Sequence, residues 1–598
     1  MKKFTAPALL FFLLTTRLFA AQSWYVAPAS SGGSDTNPGS LAQPFYTISQ
    51  AGYVAQPGDT VYVRGGTYAY TAQQWIGNVG SAGGWITFEP YPGESPVLDF
   101  ASMPTTVDAV VIGGQYIVFE GFEIKNSPRN GLAGWGAAHL KLLNNTLHGN
   151  QYSGLFVGYS DLGTVQDILV SGNTVYNNVI MNQPETLAAW PGAMMVDRCE
   201  GATISGNNSY QNYGEGIVLD LSDNGAVLGN QIHDDYSGGI YIDNTTHSLV
   251  AKNLVYTTYD TRFYVLGYPA VGIASANETY TTPNPINANQ ILNNVVIHGR
   301  FCFYYGNFLT GGGLKNYLVA NNTFYNGDNT TLWIDDDAGH SNNLFENNVL
   351  YQDAGHGLVR APAQIGAFNF NHNAWYNGSA GAAAGTGDVT LAPLFLNPGT
   401  NAASDYALQA LSPLINAGVS IAQVTDDYLG TARPQGAGYD IGAFESIPPT
   451  ATASRTPTAS PTATGTSTFT RTVTPTLTPT CTQAATNTAT LTCTSTFTAT
   501  PANKPTPLSG GKPFLYPNPC RGPEGLVRLI CASSATDKTK IKLFTPSGRK
   551  VRDYDFPPDA DLLLDLNDLR GTALANGLYY VQVTTSQGSF ILKLLILR

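Results

Sequence analysis

The stretch NNSYQNYGEGIVLDLSDNGAVLGNQIHDDYSGGIYIDNTTHSLVAKNLVY (Asn207–Tyr256) repeats its pattern every 23 residues. Two columns of identical residues carry the repeat, and each has two equal steps: Asn207, Asn230 and Asn253, and Asp197, Asp220 and Asp243. A constant period of this length indicates one supersecondary unit stacked on the next. Because neighbouring strands of a sheet lie about 4.8 Å apart, stacking brings like residues of successive units close together.

The asparagine column extends through most of the first 380 residues, with steps of 23 to 41 residues. Its members are Asn145, Asn173, Asn207, Asn230, Asn253, Asn294, Asn322, Asn348 and Asn373, with Asn126 as a less regular first member. A minimal unit of 23 residues with occasional loop insertions accounts for these steps. The pattern predicts an all-β fold, a right-handed parallel β-helix of about ten coils, each with three short strands. Asparagine suits an inward turn because it tolerates the left-handed backbone region and its amide can bond the asparagine above and below.

The residues after each asparagine follow the two-residue period of a strand. Apolar residues stand two positions later and are predicted to point inward with the asparagine. Three positions later stands a column predicted to face outward: His148, Tyr176, Tyr210, His233, Tyr256, Ile297, Tyr325, Tyr351 and Tyr376. These rings either offer a platform to sugars or stack on one another for stability beneath covering loops.

Net charge and the N-terminal sequence limit the possible partners and the location of the protein. A net charge of −12 argues against nucleic acid and anionic membranes as partners. Residues 1–21 have the basic start, apolar stretch and small residues of a signal peptide. No later stretch has the apolar length of a transmembrane segment, so the protein is expected to be secreted or on the cell surface.

Composition divides the mature chain into three parts. Residues 22–447 carry the repeat, and residues 448–509 form a Thr-, Ser- and Pro-rich linker that cannot bury a core. Residues 510–598 contain short apolar runs between turns, which predict an Ig-like β-sandwich. YPNP (Tyr516–Pro519), LYYV (Leu578–Val581) and KLLILR (Lys593–Arg598) resemble the FlgD-like immunoglobulin-type domain and the sorting domain of bacterial type IX secretion. That resemblance implies export or surface attachment through partner machinery, and no chemistry.

The N-terminal region resembles a second family. SWYVAPASSGGSDTNPGSLAQPF, followed by YTISQAGYVAQPGDTVYVRGGTY, is similar to the amino-terminal unit of secreted β-helix proteins, including pectate lyases of polysaccharide lyase family nine. A helix around Tyr46–Ala55 is expected to cap the first coil. DDYLGTARPQGAGYDIGAFE (Asp426–Glu445) resembles the closing segment of such proteins. The resemblance implies a polysaccharide as partner, and we expect an acidic one.

The aspartate column belongs to a strand that aligns as LFVG, MMVD, IVLD, IYID and LWID. Alternation turns Asp197, Asp220 and Asp243 outward, with about 5 Å between neighbours. Carboxylates this close require either a raised pKa or a bridging cation, and oxygen ligands favour Ca²⁺, with Asp223, Asn244 and Glu278 completing the shell. Alternatively, the aspartates cap turns through backbone N–H groups.

The resemblance to family-nine lyases also implies a lysine base and an aspartate cluster, D-D-G-F-D. Neither has a counterpart in this sequence. The candidate catalytic residues are therefore His233, Arg198 and Arg262, and Arg262 is the one suited to hold a substrate carboxylate. The long step between Asn253 and Asn294 is expected to form the wall of a groove. Candidate sugar-binding rings are Tyr241, Trp333, Trp190 and Phe263.

Three functions are compatible with these features. The first is calcium-assisted β-elimination of an acidic glycan, which makes the protein a polysaccharide lyase. The second uses the same carboxylates for glycoside hydrolysis. The third is a surface adhesin or glycan-binding protein without catalysis, displayed on the linker.

Overall fold

The computed structural model describes residues 21–447 apart from 105, 160–164, 184–190, 265–270, 279–285, 309–310 and 354. In the C-terminal region it describes 514–516, 520–521, 526–530, 539–544, 550–556, 563–566, 574, 577–585 and 588–597. The predicted linker, and the predicted signal peptide apart from Ala21, lie outside these residues. The chain divides into two compact units, 1–451 and 452–598.

The first unit is a parallel β-helix built from three long sheets, which we name A, B and C. In the described residues, sheet A has 13 strands: Ser23–Val26, Thr60–Val63, Ile86–Pro90, Gln115–Glu120, Ala138–Leu143, Ile168–Ser171, Thr203–Ser205, Ala226–Leu228, Leu249–Ala251, Gln290–Leu292, Leu318–Ala320, Asn343–Glu346 and Phe368–Asn371. Sheet B has 11: Gln74–Ile76, Val110–Ile112, Leu132–Trp135, Leu155–Gly158, Gly192–Asp197, Glu215–Asp220, Gly238–Asp243, Val271–Asn277, Phe301–Asn307, Thr330–Ile334 and Gly357–Arg360. Sheet C has 12: Gly66–Ala69, Pro96–Asp99, Glu123–Lys125, Thr146–His148, Thr174–Tyr176, Asn208–Tyr210, Gln231–His233, Leu254–Tyr256, Val295–Ile297, Thr323–Tyr325, Val349–Tyr351 and Ala374–Tyr376.

These sheets give at least eleven coils, slightly more than the ten predicted. Val165–Gln166 and Cys199–Glu200 form a small additional parallel pair. The helix Ile48–Val54 begins after Thr47, whose side chain accepts a hydrogen bond from the N–H of Gln50, and it confirms the predicted cap. Short 3₁₀ turns occupy Ala29–Ser31, Ile180–Asn182, Ile365–Ala367, Gly381–Ala383 and Ala403–Tyr406. No helix among the described residues is long and apolar enough to cross a membrane.

The predicted asparagine column is an inner ladder of hydrogen bonds. The Oδ1 of Asn230 accepts both the backbone N–H and the side-chain N–H of Asn207, each at 2.9 Å, and Asn253 does the same for Asn230 at 2.9 and 3.0 Å. The expected left-handed backbone is found one residue earlier, for example at Lys252 (φ 58°). The ladder residue itself continues the chain into the next strand, so its amide lies inside the coil.

The prediction that Asn126 belongs to this column is wrong. Its φ is 60° and its side chain donates to Asp99 on the outside of the coil. Phe122 takes the place beside Asn145, whose Oδ1 accepts the Phe122 N–H at 3.0 Å. The ladder therefore begins at Asn145, because an apolar ring already fills the corresponding corner of the preceding coil.

A second ladder, absent from the sequence analysis, lies at the opposite end of sheet C. It runs through Asn150, Asn178 and Asn212 and ends on Asp235. The Oδ1 of Asp235 accepts the backbone and side-chain N–H groups of Asn212 at 3.0 and 2.8 Å, and its Oδ2 accepts the hydroxyl of Ser209 at 3.1 Å. Burial raises the pKa of the Asp235 carboxyl to about 8, although these hydrogen bonds oppose the shift.

Replacing Asp235 with asparagine should make the protein more stable above neutral pH. The raised pKa means that the folded protein holds a proton that the unfolded chain releases, so stability falls as pH rises from about 4 to about 8. The Asp235→Asn variant would keep the Oδ1 acceptor without this linkage. We expect the difference in thermal midpoint, variant minus wild type, to be smallest near pH 4 and to grow until about pH 8. A difference independent of pH would contradict the assignment.

The aromatic column forms a stack of rings on the outside of sheet C, as the stability interpretation of the sequence predicts. Tyr176–Tyr210, Tyr210–His233 and His233–Tyr256 stack at 5.2, 5.1 and 4.6 Å with interplanar angles of 10° or less. Further along, Tyr325 and Tyr351 are covered by Phe395 from the segment that follows the last coil. Ring faces in this stack are turned towards one another.

The segment after the last coil covers the outer faces of sheets A and C. Ile421, Val424 and Tyr439 pack on apolar residues of sheet A. Tyr406, Ile441 and Phe444 belong to a cluster on sheet C. The ion pair between Arg433 and Glu445, at 2.9 Å, is fully buried within this segment. The outer face of sheet B receives neither cluster.

The second unit contains two sheets in its described residues. Phe514–Tyr516, Leu526–Ile530 and Leu563–Asp565 form one sheet, in which the paired strands are antiparallel. Cys520–Arg521, Gly588–Leu597, Gly577–Thr585, Thr539–Phe544 and Lys550–Phe556 form the other. Leu529, Leu564, Val581 and Leu594 belong to one buried cluster that joins both sheets. The Ig-like β-sandwich expected for residues 510–598 stays a prediction.

Candidate functional site

A cleft of about 670 Å³ opens on the outer face of sheet B. It spans four neighbouring strands, from Gly192–Asp197 to Val271–Asn277, and continues to Tyr304. The described lining residues are Met195, Glu215, Val218, Asp220, Ser237, Gly238, Tyr241, Asp243, Val271, Ala274, Glu278, Tyr304 and Phe308. None of these is Lys, Arg or His, so carboxylates dominate the charge of the cleft.

The aspartate column lies in register on three adjacent strands of sheet B. Asp197 is paired with Asp220, and Asp220 with Asp243, as the 23-residue step predicts. Ile217, Leu219, Ile240 and Ile242 face the core, so the predicted alternation is confirmed there. Asp220 and Asp243 line the cleft, whereas Asp197 does not, although Met195 of the same strand does. The column ends at Ala276, which takes the next position after Asp243.

Glu215 is a cleft carboxylate whose position the alternation of side chains along the strand does not predict. Counting back from Ile217 by twos places Glu215 inward, yet it lines the cleft. The reason is a kink at Gly216, where two consecutive residues face the core. A Cβ added to Gly216 would lie 2.4 Å from Asp235 Oδ2 and 2.6 Å from Ile232 inside the coil. The glycine pairs GEG and SGG before the two apolar runs were the sequence signal for this kink.

Burial gives the acidic groups of sheet B different proton affinities. Loss of solvent, reinforced by the charges of Glu278 and Asp220, raises the pKa of Glu215 to about 8. Burial also raises the pKa of Asp197 to about 6, against the opposing charge and hydrogen bond of Arg198. At neutral pH, Glu215 therefore carries a proton. A carboxyl group that keeps its proton at neutral pH is suited to act as a general acid.

Tyr241 joins the cleft to the carboxylate of Glu278. Its hydroxyl donates to Glu278 Oε1 at 2.5 Å. Burial, followed by the charges of Asp243 and Glu278, raises the pKa of Tyr241 well above its usual value. The phenol therefore stays protonated, and the ring contributes an apolar wall with a polar tip. Tyr304 and Phe308 extend that wall.

The predicted calcium ligands fit a cation only in part. In the described part of the chain, no three His, Cys, Asp or Glu side chains are arranged to hold a metal ion. Asp197 is engaged by Arg198, whose Nη1 lies 2.5 Å from its Oδ2. The donors at Asp220 and Asp243 are oxygens, as a hard cation prefers, and the neighbouring Asn244 has a buried Oδ1 that finds no hydrogen-bond partner in the described structure. Two members of the column are therefore suitable, and the third is held elsewhere.

The three predicted catalytic residues do not meet at the cleft. Arg198 follows the strand Gly192–Asp197 and pairs with Asp197. Arg262 is largely exposed and is bound by Asp260 at 2.6 Å, so it does not form the predicted carboxylate clamp. His233 lies on sheet C within the ring stack, with its Nδ1 2.9 Å from Asp234. A histidine on a different sheet cannot reach the Asp220 face.

Among the predicted sugar-binding rings, Tyr241 lines the cleft and Trp333 lies in the same apolar cluster. Trp333 donates its indole N–H to Asp335 at 2.8 Å and carries the Arg360 guanidinium 4.4 Å above its ring. Trp190 lies outside the described residues. Phe263 is buried against Tyr213, 4.9 Å away, so its prediction as a sugar-binding ring is wrong.

The structure also corrects the interpretation of the long step between Asn253 and Asn294 as a loop that walls a groove. Within the step from Asn253 to Asn294, Val271–Asn277 is a strand of sheet B and pairs with Gly238–Asp243. Its sequence, VGIASAN, lacks the aspartate that marks the preceding strands, and this is why the alignment passed over it. Glu278, directly after this strand, supplies a carboxylate to the cleft instead.

Comparison with known proteins supports the fold. Residues 24–230 match the model of the Pel9A-like right-handed β-helix region, and residues 170–316 match a right-handed β-helix region. The predicted handedness and the likeness to Pel9A-type proteins are thereby confirmed for this part. The resemblance of residues 510–598 to a sorting domain stays a prediction.

Two curated relatives are pectate lyases. Pectate lyase L of Paenibacillus polymyxa is 30% identical over 167 residues, which cover 27% of this chain and 35% of the relative. Pectate lyase PEL9 of Emericella nidulans is 37% identical over 82 residues, which cover 14% of this chain and 19% of the relative. The chain thus spans about a third of the length of one and a fifth of the other.

Two solved structures are similar in outline. Pectate lyase Pel9A is 20% identical with a TM-score of 0.43, covering 71% of this chain and 97% of that chain. XylC in complex with xylose is 14% identical with a TM-score of 0.47, covering 71% and 98%.

Proposed function

We propose that the protein cleaves a polysaccharide at the cleft on the outer face of sheet B, and that the reaction is β-elimination of an acidic glycan. The observation that carries the proposal is the position of Asp220 and Asp243, in register and side by side in a 670 Å³ cleft. The likeness of residues 24–230 to Pel9A-like proteins supports the lyase chemistry.

β-Elimination requires a base, an acid and a means of neutralising the substrate carboxylate. One of the two cleft aspartates, Asp220 or Asp243, would remove the proton next to that carboxylate. Glu215, protonated because its pKa is raised to about 8, would give its proton to the departing glycosidic oxygen. The bond to that oxygen breaks as the double bond forms, so the proton taken and the proton given balance. Tyr241 and Tyr304 would hold the sugar ring.

Calcium would be held by one of the two cleft aspartates, Asp220 or Asp243, while the other acts as the base, with Asn244 nearby. When bound, it would neutralise the substrate carboxylate and acidify the adjacent proton. A cleft lined by carboxylates without a described basic residue needs such a positive charge if its substrate is anionic. Calcium assistance is therefore part of the proposal.

Glycoside hydrolysis is the second candidate, and the same cleft composition favours it. A protonated Glu215 would act as the acid, and Asp220 or Asp243 as the base, that hydrolysis requires. A neutral glycan has no carboxylate, so it could enter the cleft without a cation to neutralise it. The two candidates differ in substrate charge and in product.

The wild-type protein should release new chain ends from a polymer panel of polygalacturonate, alginate, chondroitin and xylan. Elimination from an acidic polymer gives an unsaturated product that absorbs in the ultraviolet, and EDTA should suppress it. Reducing ends without that absorbance would favour hydrolysis. Absence of new ends from every polymer, with calcium or EDTA, would contradict both candidates and leave the binding-protein alternative.

Export is the remaining part of the proposal. We propose that residues 1–21 direct the chain out of a bacterial cell and that residues 510–598 attach it to secretion or surface machinery. The motifs Tyr516–Pro519 and Lys593–Arg598 support this role. A protein at the cell surface meets polymeric glycans directly, which suits the proposed activity.

A further inference from the structure

A second aromatic feature lies on the outer face of sheet B, towards the N-terminal end of the solenoid. Trp75 belongs to the first strand of that sheet, Gln74–Ile76, and is 50% exposed. Its side chain belongs to the same outward-facing row of sheet B as Met195, which lines the cleft. Strand by strand, the register runs from Trp75 through Val111, Ala133 and Phe156 to Met195. Met195 is the first lining residue of the cleft on this side.

The Trp75 ring lies directly on the backbone at two glycines. A Cβ added to Gly113 would lie 2.6 Å from Cη2 of the ring, and one added to Gly77 would lie 2.5 Å from its Nε1. Any larger residue at either glycine would push the ring away. The Nε1 edge of the indole therefore faces Gly77 and its six-membered ring lies against Gly113, while half of the residue's surface remains open to solvent. No group among the described residues accepts a hydrogen bond from its N–H.

This arrangement differs from the ring stack of sheet C. There, each ring face is covered by the next ring at about 5 Å, so the faces are unavailable to a ligand. Trp75 has no aromatic neighbour among the described residues. An indole fixed by the backbone at Gly77 and Gly113, with half of its surface exposed, offers a sugar ring an apolar surface.

Between Trp75 and the cleft, Val111 and Ala133 of the outward row are buried, and the partly exposed Trp135 and Phe156 form the surface. Phe156 packs against Trp135 at 4.7 Å, and the Trp135 indole N–H is fixed by Asp108 at 2.6 Å. Arg129 pairs with Asp108 at 3.1 Å and lies 5.6 Å from the Trp135 ring, with a partly exposed side chain. Four strand steps separate Trp75 from Met195, a distance of about 19 Å. Only an extended chain spans both.

We infer that Trp75 is a distal sugar-stacking site, and that one glycan chain binds along sheet B from the cleft to this ring. The inference rests on the proposed function for the identity of the cleft. It adds that the protein recognises polymers through a site remote from the reacting bond. Short oligosaccharides that fill the cleft alone would not gain from Trp75.

The test compares Trp75→Ala, Trp75→Phe and Tyr53→Ala in the full chain, each carrying Asp220→Asn so that the polymer stays intact. Tyr53 is an exposed ring (79%) on the capping helix and serves as the matched control. Native gels containing polygalacturonate, alginate or xylan report polymer affinity, and calorimetry with trigalacturonate reports occupancy of the cleft. Thermal midpoints check the fold.

The polymer in the gel should slow the migration of Trp75→Ala less than that of the Asp220→Asn parent. We expect the dissociation constant for the polymer to rise about twofold to tenfold. Trp75→Phe should restore part of the loss, and Tyr53→Ala should behave as its Asp220→Asn parent. Trimer binding should not change. Equal retardation of Trp75→Ala and the parent, or no retardation of the parent on any gel, would overturn the inference. Retardation that depends on Trp75, with no polymer cleaved by the wild type, would overturn the proposed reaction alone.

Discussion

Replacing Asp220 with asparagine should lower kcat/KM for polymer cleavage by about 10²–10⁴-fold. The substitution preserves the shape of a buried side chain and removes its charge from the centre of the cleft. Asp243→Asn should cost a similar factor, because the two carboxylates lie in register on neighbouring strands. Residues that act as a unit are not additive, so the double variant should be little worse than either single one. Initial rates on the preferred polymer measure all three.

Asp223→Asn is the matched control for these variants. Asp223 follows the same strand but lies in the turn, where it bonds Thr246 at 2.6 Å and His247 at 2.7 Å, outside the cleft. We expect its kcat/KM to stay close to that of the wild type. If Asp220→Asn and Asp243→Asn kept wild-type turnover with intact fold, the aspartate column would have no catalytic role.

Asn230→Ala should destabilise the solenoid by about 2–4 kcal/mol. Its Oδ1 accepts two hydrogen bonds from Asn207, and its Nδ2 donates to the carbonyl of Ile204 at 2.9 Å. Alanine would leave the buried backbone N–H of Asn207 without its acceptor and would remove the side-chain donor from Ile204 O and Asn253 Oδ1. Urea denaturation of the full chain, followed by circular dichroism, measures the loss.

Gln231→Ala provides the comparison, because Gln231 is the next residue and its side chain is exposed. Its removal should cost no more than about 0.5 kcal/mol. Equal costs at positions 230 and 231 would show that the ladder adds nothing beyond general helix packing.

The coil could be predicted because the 23-residue period is visible in the sequence itself. Asn207, Asn230 and Asn253 are equally spaced, and only stacking brings them together. The outward direction of Asp220 and Asp243 also followed from alternation, since Ile217 and Ile240 fix the register locally. The strands that follow the repeat could therefore be predicted from the sequence alone.

The residues that the sequence did not place are those where regularity breaks. The kink at Gly216 turns Glu215 towards the cleft, against simple alternation. Val271–Asn277 carries no aspartate, so its place in sheet B was missed. Arg262 was chosen by residue type, and only the structure shows that Asp260 holds it. His233 already belonged to the predicted aromatic column, and the structure places it in the ring stack of sheet C.

The most direct test of the central claim is a crystal structure of the Asp220→Asn variant with trigalacturonate and calcium. Our account predicts that the sugar lies on the outer face of sheet B, between Tyr241 and Asp243, with Glu215 facing a glycosidic oxygen. A trisaccharide bound only on the outer face of sheet A or sheet C, with the sheet B cleft empty, would contradict it.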